Sequence, residues 1–292
     1  MSEIKIAGVM RAGAYSPNHI GNDAAIFNAT ADQLRKRGFV VNIYSEEKFK
    51  TCEIEEDVVL NMCRDASSIA KLQRLEDAGK LVINSGYGIE NCTRERMARI
   101  LIGSGIPYPE SIIVNTDERV KDTLARVGMN NCWVKRGGHS QHKEDVSYVR
   151  NRDEAQEVLQ EYFYRGIQRA VINKHIVGDL VKFYGVKGTP FFYWFYPYES
   201  GHVMQGYGAE IEATKGTKLD EELLKSYCSQ ACEELNVVVY GGDCIVSPDG
   251  KITIIDFNDW PSFAPCCNEA APHIAKSVLA EIKSFVARRS NQ

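Results

Sequence analysis

Hydrophobic and polar positions along the first third of the chain predict short strands separated by helices. The apolar stretches read as strands lie at residues 4–10, 39–44, 58–62 and 81–83. A helix capped by Asn22 ends at Gly38, and a second helix over residues 67–78 ends at Gly79. This order predicts a small parallel sheet covered by helices.

The rest of the chain mixes helices with strands that return on themselves. Residues 84–91 are rich in Gly and Asn and predict a turn at a domain boundary. Helices are predicted at residues 93–104, after a cap at Asp117, from a cap at Asp153 to about Arg165, at residues 220–235, and from Pro272 onwards. Strands are predicted at residues 132–135, 145–149, 170–176, 180–186, 190–196, 239–246 and 251–257.

Composition and charge exclude several classes of protein. The 292 residues include 35 Lys and Arg and 39 Asp and Glu, a net charge of −4, which argues against a nucleic-acid partner. No apolar run reaches the roughly 18 residues of a membrane span. The first residues enter a strand without a signal-peptide pattern, so we expect a cytoplasmic protein. The nine scattered cysteines contain no CxxC pair, and we expect reduced thiols.

Oxygen-bearing side chains near the C-terminus are the strongest chemical signal. Asp243 follows Gly241-Gly242 on one predicted strand, and Asp256 and Asn258 lie two residues apart on the next. Side chains two apart on a strand share a face, so the three can converge. Two carboxylates and an amide oxygen suit Mg²⁺ that is also bound by phosphate. The alternative is an acidic hairpin that only stabilises a turn.

Two basic segments could neutralise phosphate. In the first, Lys135 ends a strand and is followed by Gly137, Gly138, His139 and Ser140, where backbone N–H groups can approach an anion. The spacing is not that of a Walker loop, and an exposed turn is the alternative. In the second, Lys182 lies within an apolar strand and either faces an anion or reaches the surface.

The order of these segments resembles the ATP-grasp superfamily. The resemblance covers about residues 91–263 and rests on the strand-Lys-glycine loop, the Gly178-Asp179-x-x-Lys182 strand, and Asp243 followed by Asp256-x-Asn258-x-x-Pro261. It implies an α/β ATP-grasp fold with an N-terminal small parallel-sheet domain. We predict that domain at residues 1–90, a small ATP-grasp lobe at 91–170, and a large lobe carrying the metal site at 171–292.

The resemblance also implies site residues. The implied nucleotide-binding residues are Lys135, Gly137, Gly138, His139, Ser140, Asn173, Lys174 and His175. The implied ligands of Mg²⁺, or of Mn²⁺, are Asp243, Asp256 and Asn258. Lys182 matches the residue that contacts the γ-phosphate, and Arg94 stands where the family often has a phosphate-binding lysine. Lys174 occupies the place of a glutamate that often binds the ribose.

The function implied is an ATP-dependent carboxylate–amine ligase that works through an acyl phosphate. The pair Asp256-x-Asn258 also resembles the inositol trisphosphate kinases of this fold, so a small-molecule kinase is an alternative, and a nucleotide-binding module without turnover is another. We therefore expect ATP and a small carboxylate or hydroxyl acceptor as partners, and we allow for a homodimer.

Three further segments have more than one interpretation. Arg11, which follows the first strand, either binds a substrate carboxylate or is an exposed loop residue. His142 either touches phosphate or substrate or lies in solvent. The aromatic residues 191–198 either line a substrate pocket or form a buried strand.

Overall fold

The computed structural model describes residues 4–16, 20–139, 142–197 and 216–290. These residues form three four-stranded sheets with helices packed against them. The predicted α/β class is therefore confirmed. In the described ranges, no helix has both the length and the apolar character needed to cross a bilayer. The nine cysteines are free thiols, as predicted.

The first sheet is parallel, in the order β2-β1-β3-β4. Its strands are β1 (Lys5–Met10), β2 (Val40–Ser45), β3 (Val58–Asn61) and β4 (Leu81–Ile83). The accompanying helices are α1 (Ile20–Arg35), α2 (Glu46–Thr51), α3 (Ala66–Asp77) and α4 (Gly86–Asn91). Every residue of β3 is buried, as expected for a parallel strand covered on both faces.

Two local predictions in this region are wrong, and one helix was missed. Helix α1 begins at Ile20, so Asn22 lies inside its first turn and does not cap it. Helix α2 was not predicted, because six residues are too few to show a helical period. Most of the predicted turn at residues 84–91 is helical, since α4 begins at Gly86. A Cβ on Gly88 would lie 2.0 Å from the carbonyl oxygen of Asn236, so this glycine permits close packing.

The second sheet is antiparallel, in the order β5-β8-β6-β7. Its strands are β5 (Ser111–Asn115), β6 (Cys132–Arg136), β7 (Val146–Val149) and β8 (Arg169–Lys174). The helices of this region are α5 (Arg94–Gly103), α6 (Lys121–Arg126) and α7 (Arg152–Tyr164). The domain boundary predicted at residue 170 falls inside β8, which pairs with strands on both sides.

Predictions of helix starts in the second region are less accurate than predictions of the helices themselves. Strand β5 was not predicted. Helix α6 begins at Lys121, four residues after the cap expected at Asp117. Helix α7 is capped by Asn151, whose side chain accepts hydrogen bonds from the backbone N–H groups of Asp153 and Glu154 at 3.0 and 2.9 Å. Asp153 is therefore a residue of the first turn, where its charge still suits the helix dipole.

The third sheet is antiparallel, in the order β10-β9-β11-β12. Its strands are β9 (Asp179–Val186), β10 (Phe192–Phe195), β11 (Val239–Val246) and β12 (Ile252–Asp259). Helix α8 (Glu221–Glu234) lies within the predicted range 220–235 and is capped by Asp220. The last helix, α9 (Cys267–Ser290), begins five residues before Pro272, so this proline lies within the helix instead of opening it.

A buried apolar cluster joins the first and last parts of the chain. Helix α9 packs against α1, and its Ile274 and Val278 share a cluster with Phe27 of α1 and with Trp260, which follows β12. The end of the third sheet is thus fixed against the first sheet. The domain limits at residues 90 and 170 stay predictions.

Candidate active site between the second and third sheets

An acidic row crosses the third sheet. Asp243 of β11 lies directly opposite Asp256 of β12 and, on its other side, opposite Lys182 of β9. Asn258 donates from Nδ2 to Oδ2 of Asp256 over 3.3 Å. The structure thus brings together the four residues predicted on these strands, on one face of the sheet.

The two glycines before Asp243 allow the strands to approach. A Cβ on Gly242 would lie 2.2 Å from the carbonyl oxygen of Asp256, and one on Gly241 would lie 2.8 Å from that of Phe183. The ladder shifts register directly after Asp243, a bulge that redirects the strand next to the acidic row.

The chemistry of this donor set fits Mg²⁺. Two carboxylates and an amide are hard oxygen donors, and Mg²⁺ usually keeps water and phosphate oxygens as its remaining ligands. Across the ranges that the structure describes, no set of three or more His, Cys, Asp or Glu side chains has metal-binding geometry, so a dedicated all-protein cage is not found there. Asp243, Asp256 and Asn258 would hold the ion together with phosphate.

Lys182 is paired within its own sheet. Its Nζ donates to Oδ1 of Asp243 at 2.8 Å, and the two side chains are 28% and 15% exposed. The ammonium therefore offsets the repulsion between the neighbouring carboxylates of Asp243 and Asp256. Lys182 is thus partly exposed and paired with a carboxylate, and its contact with the γ-phosphate stays a prediction.

Lys135 crosses from the second sheet to the third. It lies on β6, is only 7% exposed, and donates from Nζ to the carbonyl oxygen of Ile255 on β12 at 3.1 Å. Burial lowers the pKa of this ammonium to about 8. The nearby charge of Arg94 also lowers this pKa, whereas the charges of Asp256 and Asp243 raise it. An ammonium so desolvated is prepared for an anion.

The glycine loop begins from a fixed point. The N–H of Gly137 donates to the carbonyl oxygen of Arg169 at 2.8 Å, and its own carbonyl accepts from the N–H of Glu95 at 2.8 Å. A Cβ on Gly137 would lie 3.0 Å from Cβ of Arg169, whereas at Gly138 the nearest atom would be 3.9 Å away. Gly137 is therefore needed for packing, and Gly138 leaves open space beside the loop.

His139 turns back toward the cleft. Its Nε2 is buried and makes no hydrogen bond to the described part of the chain. Burial and the neighbouring charge of Arg64 lower its pKa to about 4, so the ring is neutral at pH 7. His142 is exposed, which agrees with the solvent interpretation, and Ser140 lies outside the described residues.

Arg94 is the first residue of α5 and lies at the same cleft, because its charge acts on Lys135, His139 and Tyr108. The N-terminus of α5 thus points toward the region between the second and third sheets. A helix N-terminus and an arginine together favour an anion there.

The segment around the end of β8 contains Asn173, Lys174 and His175, whose nucleotide contacts stay a prediction. Asn173 is buried and donates from Nδ2 to Oγ of Ser111 at 2.7 Å, and its backbone lies in an interior strand that pairs on both sides. Lys174 is exposed and pairs with Glu110 at 3.1 Å. An interior strand has already used its backbone groups, so the backbone groups that the sheet does not use begin at His175, after β8 ends.

An aromatic group beside this segment was not predicted. Nε1 of Trp133 donates to Nδ1 of His175 at 3.1 Å, and the Tyr148 ring centroid is 5.1 Å from both rings. Trp133 lies two residues before Lys135 and so shares its face of β6. That period-two relation is the signal that could have identified Trp133 from the sequence.

The side chain of Arg11 is not exposed to solvent. Its Nη1 donates to Oδ2 of Asp23 at 2.9 Å, its Nη2 to the carbonyl oxygen of Trp260 at 2.8 Å, and its Nε to that of Met62 at 3.3 Å. The exposed-loop interpretation is therefore wrong. Its predicted contact with a substrate carboxylate would have to compete with these three acceptors.

The aromatic stretch forms an edge strand. All four residues of β10 are half-buried, Phe192 stacks on Phe183 at a centroid distance of 6.1 Å, and Nε1 of Trp194 donates to Glu221 at 3.0 Å. The predicted strand is therefore present, but it is half-buried at the sheet edge and not buried, and Tyr198 lies outside the described residues.

Comparisons with known proteins identify the fold. No family model matches the chain, and no curated protein matches it in sequence. Among solved structures, D-alanyl-alanine synthetase A from Vibrio cholerae O1 biovar eltor is 12% identical, with a TM-score of 0.71, over 98% of this chain and 99% of that one.

Two further structures agree with this result. A D-alanine–D-alanine ligase from Bacillus anthracis in complex with ATP is 16% identical, with a TM-score of 0.67, over 99% of both chains. A RimK domain ATP-grasp protein from Sphaerobacter thermophilus is 18% identical, with a TM-score of 0.65, over 94% of this chain and 99% of that one. The predicted ATP-grasp fold is therefore confirmed.

Proposed function

We propose that this protein is an ATP- and Mg²⁺-dependent carboxylate–amine ligase that works through an acyl phosphate. The observation that carries the proposal is the acidic row of Asp243 and Asp256, which lies between Lys182 of its own sheet and Lys135 of the opposite one. Lysine ammonium groups on two facing sheets, together with carboxylate and amide oxygens, suit a bound triphosphate. The solved structures of this fold include ligases, one of them with ATP.

The roles follow from charge and position. Lys135, Arg94 and the glycine loop would bind the phosphates, and the aromatic face of Trp133, Tyr148 and His175 would adjoin the base. Asp243, Asp256 and Asn258 would hold Mg²⁺, which when bound neutralises charge on the phosphate oxygens. With Mg²⁺ bound, Asp243 would contact the metal, and Nζ of Lys182 would contact the γ-phosphate.

The reaction has two steps. The carboxylate oxygen of the first substrate attacks the γ-phosphorus, the bond to the β-phosphate oxygen breaks, and ADP leaves. The amine nitrogen then attacks the acyl carbon, loses a proton, and expels inorganic phosphate. Lys182 would oppose the negative charge on the transferring group, which is where electrostatic stabilisation has its largest effect.

A small-molecule kinase is the second candidate, favoured by one observation. The second metal residue is Asp256, whose side chain is shorter than the Glu of many ligases of this fold and accepts a hydrogen bond from Asn258 at 3.3 Å. In that case the γ-phosphoryl group passes to a hydroxyl oxygen and remains there.

Calorimetry with ATP tests the proposal first. We expect ATP binding that strengthens markedly when Mg²⁺ is added; equal and negligible heats with and without the metal would exclude it.

An ADP-release screen over amino acids, peptides and polyols then separates the candidates. Free phosphate that appears only when both a carboxylate and an amine are present indicates a ligase, and a stable phosphate ester indicates a kinase. ATP binding without turnover on any acceptor indicates a nucleotide-binding module. The cytoplasmic location and the homodimer stay predictions.

A further inference from the structure

We infer that Arg11, Arg64 and Asn84 are positioning residues, which place the metal ligands by holding the open end of the β11–β12 hairpin. All three come from loops at the carboxyl ends of neighbouring strands, β1, β3 and β4, in the first sheet. This inference rests on the proposed function, because it concerns the Mg²⁺ site.

The two arginines hold the end of β12. Nη2 of Arg11 donates to the carbonyl oxygen of Trp260 at 2.8 Å, and Nη2 of Arg64 donates to that of Asp259 at 2.9 Å. Arg64 also forms an ion pair with the Asp259 carboxylate, which is 1% exposed. The two carbonyls belong to the residues directly after Asn258, so their position fixes that ligand.

Asn84 holds the start of β11. Its Oδ1 accepts hydrogen bonds from the N–H groups of Val238 and Val239 at 2.8 and 2.9 Å, and its Nδ2 donates to the carbonyl oxygen of Val239 at 2.7 Å. The same carbonyl accepts from the N–H of Trp260 at 2.8 Å. The side chain of Asn84 thus joins the two strands where the hairpin opens.

The arginines are themselves held in place. The fully buried carboxylate of Glu46 accepts hydrogen bonds from the N–H groups of Ala12, Arg64 and Asp65 at 2.9, 2.8 and 2.8 Å. The Glu46 carboxylate therefore fixes both the backbone next to Arg11 and the backbone of Arg64. Ligands of α/β sheets bind outside the carboxyl ends of the strands. In this protein, the end of the β11–β12 hairpin occupies part of that edge of the first sheet.

Displacement of this end would affect the metal more than the nucleotide base. Mg²⁺ requires near-ideal octahedral geometry at about 2.0–2.1 Å, so a small shift of Asp256 or Asn258 weakens its binding. Loss of a group that hydrogen-bonds a metal ligand directly typically lowers metal affinity by about 10–100-fold, and the two arginines act one or two residues further along the backbone, so we expect an effect at the lower end of that range. Lys135 and the aromatic face lie on the second sheet and do not depend on this hairpin for their backbone position.

The test measures the Mg²⁺ concentration that half-saturates ATP binding, with calorimetry at fixed ATP. The variants are Arg11→Met and Arg11→Lys, and the control is Arg35→Met, because Arg35 likewise bridges an aspartate, Asp32 at 3.0 Å, and a carbonyl oxygen, that of Val41 at 2.9 Å. ATP binding without metal and the melting temperature without ligand are recorded for each protein.

We expect Arg11→Met to raise the half-saturating Mg²⁺ concentration by about tenfold. Metal-free ATP binding should stay within twofold of wild type. Arg11→Lys, which keeps the charge but has its donors on a single nitrogen, should be intermediate, and Arg35→Met should match wild type.

Two results would overturn the inference. An unchanged Mg²⁺ requirement with a lowered melting temperature would make Arg11 merely structural. An equal rise in Arg35→Met would make the effect nonspecific. If Arg11→Met does not fold, Arg11→Lys and Arg64→Lys decide by the same criterion. Wild-type protein without Mg²⁺-dependent ATP binding would instead refute the proposed function, and the inference with it.

Discussion

The second and third sheets each present one lysine to the cleft, in opposite electrostatic states. Lys135 is buried, reaches the other sheet, and has a pKa lowered to about 8 by desolvation. Lys182 is partly exposed and paired with Asp243 in the neighbouring strand. Desolvation therefore destabilises the charged form of Lys135, whereas the carboxylate of Asp243 stabilises the charged form of Lys182.

This difference indicates two uses of a positive charge. A desolvated cation gains as soon as an anion arrives, so Lys135 suits binding of the nucleotide in its ground state. A cation that already has a partner must exchange it, so Lys182 suits a contact made only when metal and phosphate are both present. Interactions of the second kind raise turnover more than affinity.

Removal of charge from the acidic row should have the largest effect. We expect Asp256→Asn to lower turnover by about 1,000-fold, because an amide oxygen binds Mg²⁺ weakly and the electrostatic contribution is lost. The melting temperature without ligand should be unchanged or higher, since carboxylate repulsion falls. Thermal melting with and without Mg²⁺-ATP checks this, and a full ligand-induced shift in the variant would remove Asp256 from the site.

Loss of the buried cation should weaken ATP binding. We expect Lys135→Met to raise the dissociation constant of Mg²⁺-ATP by about 100-fold, since a charged hydrogen bond contributes about 1.5–3 kcal/mol. The free protein should be at least as stable, because a desolvated charge is removed. Calorimetry and denaturant titration measure the two. Unchanged affinity would show that Lys135 only joins the sheets.

Loss of the paired cation should act on turnover. We expect Lys182→Met to lower kcat by about 30-fold with little change in the KM for ATP, because its contact strengthens in the transition state. Lys225→Met is the control, since Lys225 is also partly exposed and paired with an acid, Glu221 at 2.8 Å. A raised KM with normal kcat would mean that the two lysines do not differ in role.

The smallest effect concerns pH. With its pKa at about 8, Lys135 is protonated at pH 7 and loses its proton as the pH rises through that value. Bound phosphate favours the protonated form, so ATP affinity should fall by up to about tenfold per pH unit above 8. Calorimetry at pH 7, 8 and 9 measures this, and Lys135→Arg should abolish the dependence, because arginine stays charged. Equal slopes in both proteins would contradict the assignment.

The fold was predictable because its signals are local. The strands of the parallel sheet follow apolar runs, and α8 lies within the range predicted for it, residues 220–235, so local patterns sufficed. Glycine was misread where its role is packing: Gly88 lies in a helix that approaches Asn236, which no local rule reveals. Strand β5 was missed because its pairing with β8 is nonlocal.

The candidate site was likewise predictable only where the signal in the sequence is local. Asp256 and Asn258 share a face by the period of one strand, so their proximity followed from the sequence. Arg11 could be marked only as a basic residue after a strand, because its partners Asp23, Met62 and Trp260 are distant in sequence or on other elements.

The sequence by itself determined the α/β class, the order of the chemical segments, and the side chains that one strand presents together. These follow from backbone periods and local capping. Only the tertiary structure decided that Lys135 is buried while Lys182 is paired, and that Arg11 and Asn84 hold the open end of the β11–β12 hairpin. Burial and cross-chain hydrogen bonds set those states, and both depend on which distant surfaces pack against each other.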